Sequence, residues 1–311
     1  MDLGVTLLEV IRSGMVESVH AGHLLIEDSD GNELLSLGDV TSPIYPRSAI
    51  KAIQASAMVR SGLRLSLKQL ALVCASHAGS KEHLEVARSI LSGAGLDESA
   101  LQNTPDKPLG SAERIAWGEK VATSLSANCS GKHAGMLATC VSNNWDLKSY
   151  REPSHPLQQK INEEFERLSQ VKIEKISIDG CGAPLFALSI KAISRAVRNL
   201  IRSQDPVHQE VISACIENPT MVSGNGRLPT LLMESGKLFA KDGAEGVMVI
   251  ATRSGGTIIW KMSDGSQRGA NELAMASLSI LGEKVDLPRE KVLGGGQVVG
   301  EVVVSKLVRH G

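Results

Sequence analysis

Strand signals lie at the two ends of this chain and helix signals lie between them, and that order restricts the fold more than any other feature. Near the start, the runs from Val16 to Ile26 and from Glu33 to Leu37 flank Asp28-Ser29-Asp30-Gly31-Asn32, whose composition predicts a hairpin turn. Late in the chain, Leu238 to Lys241, Gly246 to Thr252 and Thr257 to Met262 alternate with Asp242-Gly243 and Ser254-Gly255-Gly256. A last strand, Val298 to Val308, follows Gly294-Gly295-Gly296. The middle predicts helices. Residues 48 to 60 form one that ends near Gly62, and Glu272 to Leu281 form another that ends at Gly282. Phe186, Ile190, Ile193, Val197 and Leu200 recur at helical spacing after Pro184, a good first-turn residue. The expected fold is α+β: a mixed sheet closed by both chain ends, with a helical insertion packed against it as a second lobe. The sheet lobe covers approximately residues 1–47 and 237–311 and the helical lobe approximately 48–236, all within one domain, with a cleft between the lobes as the natural site.

Composition narrows the function. With 33 basic and 34 acidic residues and a formal charge of −1, the chain has no basic face for nucleic acid, so a small molecule is the expected partner. Hydrophobic residues make up 42% but aromatic ones only 3%, so the core must be built from Ala, Val, Ile and Leu. Met1 to Glu17 lack the pattern of a signal peptide, and no apolar run is long enough to span a bilayer. Five cysteines at irregular spacing read as reduced thiols, which makes the cytoplasm the expected location.

In Tyr45-Pro46-Arg47-Ser48-Ala49-Ile50-Lys51, Ser48 stands at a helix start and Lys51 three residues on, so the two side chains share a face. A serine hydroxyl is a poor nucleophile until a base removes its proton. Lys51 can be that base only when uncharged, and bringing its ordinary pKa from about 10.4 to near 7 costs roughly 4 kcal/mol. Burial and a neighbouring cation supply such a shift. A capping serine followed by a solvated lysine gives the same pattern, so the motif needs company.

Ser76 lies at the end of the buried run Leu70-Ala71-Leu72-Val73-Cys74, with His77 beside it, while Ser80 reads as the cap of the next helix. Lys241 stands at a strand end before Asp242-Gly243-Ala244-Glu245-Gly246. Taken singly, Ser76 reads equally as a satisfied turn hydroxyl and Lys241 as a solvated hairpin residue. Together with Ser48 and Lys51 they repeat the order of elements in serine β-lactamases and penicillin-binding proteins, whose sheets are also made from both chain ends. Two further cysteines sit at element termini, Cys129 in Asn128-Cys129-Ser130-Gly131-Lys132-His133 and Cys181 in Asp179-Gly180-Cys181-Gly182. They are either small core residues or half of a tetrahedral zinc site.

Along nearly its whole length the chain resembles the rhizobial-type (asparaginase II, class 3) L-asparaginases. The matching segments include Arg47-Ser48-Ala49-Ile50-Lys51, Cys74-Ala75-Ser76-His77, Gly224-Asn225-Gly226-Arg227, Lys241-Asp242-Gly243-Ala244-Glu245-Gly246 and, most specific, Asn128-Cys129-Ser130-Gly131-Lys132-His133-Ala134-Gly135-Met136-Leu137. The resemblance implies a β-lactamase-like fold, a homodimer, and hydrolysis of L-asparagine to L-aspartate and ammonia by two serine–lysine pairs, Ser48 with Lys51 and Ser76 with Lys241. It implies zinc beside the active site on Cys129, Lys132 and Cys181, with His133 and Asp179 as neighbouring polar positions that orient substrate. Leu228-Pro229 stand where some relatives carry a cysteine. From its chemistry, Arg227 is the expected partner of the substrate α-carboxylate. Two rivals remain at this point: a penicillin-recognising type of serine acyl hydrolase, and a zinc- or amino-acid-binding protein without catalysis.

Overall fold

The computed structural model describes residues 3–309; the first two residues of the N-terminal stretch discussed above lie outside that range. Strands from both chain ends meet in one eight-stranded sheet. We number them β1 (Val5–Arg12), β2 (Met15–Glu27), β3 (Glu33–Leu37), β4 (Leu238–Gly243), β5 (Val247–Thr252), β6 (Thr257–Met262), β7 (Lys291–Gly294) and β8 (Gln297–Val304). Their order across the sheet is β7-β8-β1-β2-β6-β5-β4, with β3 also on β2, and every pair is antiparallel, so the sheet is drawn from both chain ends as expected but is not mixed. The 13-residue β2 joins the two halves: its first part pairs with β1 and its second with β3, while β6 runs alongside from Gly22 to Glu27.

Burial follows that arrangement. Every residue of β5 and nearly every residue of β6 is buried. Successive side chains on a strand point to opposite faces, so the sheet is covered on both sides there. The N-terminal part of β2 is exposed. The helix Ile190–Arg202 lies against β2, β5 and β6, which ties the helical lobe to the middle of the sheet.

Several expectations hold closely. Thr257–Met262 is the strand its alternation predicts, and Asp28 closes the first hairpin by accepting from the backbone of Asp30 and Asn32. Three further expectations need correction. No helix starts at Pro184: Pro184–Phe186 is a short strand paired with Ile176–Ile178, and the helix begins at Ile190 behind the cap Ser189. The apolar spacing from Ile190 to Leu200 was helical, but a serine cap positions the first turn better than a proline six residues earlier. The last strand stops at Val304, because Lys306–Arg309 turn into a short helix. Third, Val5–Arg12 and Lys291–Gly294 are strands additional to those expected.

Candidate active site

Four chain segments build the serine–lysine part of the site, and Asp179–Cys181 joins them. Arg47–Ile50 forms one tight 3₁₀ turn that feeds the helix α1 (Lys51–Arg60). Arg47 sits in the left-handed backbone region, φ +54, which costs a non-glycine residue on the order of 1–2 kcal/mol and marks a turn held in place by its surroundings. Gly243 lets β4 reach that turn: a Cβ there would lie 2.5 Å from the Pro46 carbonyl oxygen. Lys241, two residues earlier, thereby comes to the start of α1. On the other side, Ser76 follows the helix α2 (Leu67–Val73), with its backbone N–H on the Val222 carbonyl. The helix α3 (Ser130–Ser142) packs so closely on α2 that a Cβ at Gly131 would lie 2.4 Å from the Leu72 carbonyl oxygen. That contact delivers Cys129 and Lys132 to the same place.

Both lysines converge on Ser76. Lys241 Nζ donates to Ser76 Oγ at 3.0 Å and to the Asp242 carboxylate at 2.6 Å. Lys51 Nζ donates to the Ala75 carbonyl at 2.5 Å and to Ser76 Oγ at 3.4 Å. Ser48 is half-buried, and its hydroxyl has no hydrogen-bond partner among the described residues. It lines an open cleft of about 230 Å³ together with Arg47, Asn128, Cys129, Asp179 and Cys181. Behind that cleft, Ser48, Lys51, Lys132 and Asp179 also share a void of about 10 Å³. The two serines therefore differ in access. Ser48 faces the cleft, whereas Ser76 is buried between two amines.

Three lysines, Lys51, Lys132 and Lys241, are each 1–2% exposed. Burial lowers the Lys51 pKa to about 8, helped by the charges of Lys132 and Lys241. Burial lowers Lys241 too, although Asp242 opposes it. Burial pushes the Asp242 carboxyl up, but Lys241 and Arg227 outweigh it and hold the group at about 2. Lys51 makes no contact with a carboxylate, so its neutral form is the most accessible of the three.

The cysteine pair is shifted in opposite directions. A hydrogen bond from Cys129 lowers the Cys181 thiol and raises its own, and the Lys132 charge lowers Cys181 further. Lys132 Nζ lies 3.2 Å from Cys181 Sγ. Ligand atoms of Cys129, His133 and Cys181 all lie within 4.8 Å of one another. His133 Nδ1 is taken by the Tyr150 hydroxyl at 2.7 Å, while Nε2 makes no conventional hydrogen bond and Cys181 is the polar neighbour of the ring.

Two expected substrate contacts are placed elsewhere. His133 is fully buried with the sulfurs, because Tyr150 fixes its ring there. Arg227 donates to Asp242 at 2.6 Å and to the Ser76 carbonyl at 2.8 Å, so its fork already holds the Asp242 carboxylate that faces Lys241, and the Ser76 loop. Asp179 does line the cleft, but its Oδ1 accepts from Arg47 Nε at 2.7 Å and from the Gly180 N–H. Arg47 and Asp242 are the residues that residue-level reasoning passed over. Each adjoins a chosen residue, Ser48 and Lys241, and a charge next to a proposed nucleophile or base was the available signal.

A cleft between a sheet and a helical lobe, floored by a serine and an amine of lowered pKa, has the composition of a hydrolase site. The chain belongs to the L-asparaginase II family, whose model matches residues 8–304, and that membership makes it an enzyme of the hydrolase class. No curated protein matches the sequence. Among solved structures, a β-lactamase from Mycobacterium bovis is similar at 14% identity and a TM-score of 0.46, over 84% of this chain and 92% of that one. A hydrolase with promiscuous acyltransferase activity, EstCE1, is similar at 10% identity and a TM-score of 0.38, over 90% and 93%. No helix among the described residues is long and apolar enough to cross a membrane.

Proposed function

We propose that the protein is an L-asparaginase that hydrolyses the side-chain amide of L-asparagine to L-aspartate and ammonia with Ser48 as nucleophile. One observation carries this reading: Ser48 lines the cleft beside Lys51, a buried amine whose pKa is lowered to about 8. Neutral Lys51 takes the Ser48 proton as Oγ bonds to the amide carbon. The resulting tetrahedral adduct breaks its C–N bond, and Lys51 returns the proton to the departing nitrogen, which leaves as ammonia. Water then adds to the acyl ester, giving a proton to Lys51, and as the C–Oγ bond breaks Lys51 passes that proton to Ser48 Oγ, which releases aspartate and restores the hydroxyl. Ser76 accepts from both amines and links Lys51 to Lys241 as a proton relay, while burial and then the charges of Lys132 and Lys241 make the neutral form of Lys51 accessible.

The same reading includes zinc. A thiolate-forming cysteine pair and a buried imidazole nitrogen within 4.8 Å suit a tetrahedral ion, which Cys129 and Cys181 would hold with Lys132 or His133 as a third ligand. Bound there, it would supply Lewis-acid attraction that positions the substrate. A homodimer in the cytoplasm completes the proposal.

The experiment is ammonia release from L-asparagine, compared with L-glutamine and with nitrocefin. Turnover of nitrocefin with asparagine inert would replace this reading with a penicillin-recognising one. Inertness toward all three would leave a binding protein. Metal content by mass spectrometry tests the zinc site: wild type is expected to carry about one zinc per chain and Cys181→Ala far less. Equal metal in both defeats that part.

A further inference from the structure

We infer that Arg47 is the group that recognises the substrate α-carboxylate, so that the site takes free α-amino acids and rejects amides whose carboxylate is blocked. This deepens the amidohydrolase reading above and rests on it.

A carboxylate entering a buried site needs a cation with free donors. Lys51 and Lys241 are spent on Ser76 and its neighbours, Lys132 on Cys181, and Arg227 on Asp242 and the Ser76 carbonyl. Arg47 is the one basic residue among those lining the cleft. Its Nε is fixed by Asp179 at 2.7 Å, and no hydrogen bond engages Nη1 or Nη2 among the described residues. The nearest competitor is Glu245, whose carboxylate stands 3.9 Å from Nη1 and is two-thirds exposed, a pair that solvent screens. Asp179 therefore sets the guanidinium's orientation and leaves its terminal nitrogens for a ligand.

Arg47 and Ser48 are consecutive and both line the cleft, so one molecule bound there can meet Arg47 at one end and Ser48 at the other. Arg47 holds a left-handed φ of +54 in this tight turn. Asp106 also lines the cleft, with one carboxylate oxygen free of partners, and supplies a counter-charge for the α-ammonium.

The test compares kcat/KM for L-asparagine and for its α-carboxamide, in wild type, Arg47→Ala, Arg47→Lys and Asp179→Asn. Wild type is expected to favour the free acid by about 100-fold, and Arg47→Ala to lose about 100-fold on asparagine but less than about threefold on the α-carboxamide. Added guanidinium should restore part of the loss in Arg47→Ala. Arg47→Lys should keep an intermediate preference, because a point charge replaces a fork. Asp179→Asn should raise KM for asparagine with little change for the blocked substrate. Equal losses on both substrates in Arg47→Ala, or no preference in wild type, would overturn the assignment to the carboxylate. Should Arg47→Ala fail to fold, the Arg47→Lys and Asp179→Asn substrate ratios decide the matter alone. Wild type that releases ammonia from neither compound would instead overturn the amidohydrolase reading itself.

Discussion

The helix α1 has a buried charge cluster at each end, and the two are built on opposite principles. At the C-terminal end, Glu164, 3% exposed, accepts from Arg167 at 2.6 Å, from Arg60 at 3.2 Å and meets His208 Nε2 at 2.8 Å. Arg60 turns its other nitrogen to Asp205. Burial pushes Glu164 up, but these partners outweigh it and hold the group at about 2. At the N-terminal end, three buried lysines face a single contacting carboxylate, Asp242, and the sulfur of Cys181. Matched charges fix two helices together. Unmatched ones lower a pKa and leave an amine ready to take a proton.

The sharpest way to break the contrast is to remove the hydroxyl that the unmatched cluster serves. Ser48→Ala should lower kcat/KM for asparagine by at least about 1000-fold while Tm stays within a few degrees. Steady-state ammonia release and a thermal melt check both halves, and undiminished turnover would remove Ser48 as nucleophile. Lys51→Met goes further. Activity should fall by about 100-fold or more, yet stability should be unchanged or higher, because an apolar side chain of similar length replaces a buried amine without a carboxylate partner. A marked loss of stability in Lys51→Met would mean that this end is as balanced as the other.

The balanced end should answer in the reverse way. Glu164→Gln leaves Arg60, Arg167 and His208 around a neutral amide, and unfolding should become easier by about 2 kcal/mol, since both arginines remain half-exposed and can turn to water. The residual folded enzyme should keep its kcat/KM. Denaturant melts and activity at low denaturant check it, and a stability within about 0.5 kcal/mol of wild type would show that the cluster holds nothing together.

Much of this was legible in the chain. The strands at both ends, the helix from residue 48 and the cap Ser80 follow from local patterns, and the structure repeats them. The approach of Lys241 to Ser76 was written in Gly243, the residue small enough to let β4 meet the Pro46 turn. What escaped was partnership across distance. Arg227 looked free until Asp242 lay against it, and His133 looked like a cleft residue until Tyr150 fixed its ring. Spacing reports which residues share a face of one element, but it does not report which neighbour will already have consumed a donor. The helix misplaced at Pro184 failed for a related reason: its strand partner, Ile176–Ile178, has no local signature beyond a few apolar residues.

The smallest effect separates the two ends by pH. Neutral Lys51 grows as pH rises through about 8, so kcat/KM should climb about tenfold per unit below that point and level off above it. Glu164 responds at the acid end. Its folded pKa lies below its ordinary value of 4.5, so its stabilisation is complete above 4.5 and is lost as pH falls toward about 2. With solvent screening of the two arginines, that loss amounts to about 1–2 kcal/mol. Parallel measurements of kcat/KM and of unfolding free energy from pH 3 to 10 should therefore show two transitions several units apart. Glu164→Gln should erase the acid transition in stability and leave the rise in activity near 8 untouched. If that substitution moved the activity profile as well, the two ends of α1 would be one coupled network, and the contrast between them would fail.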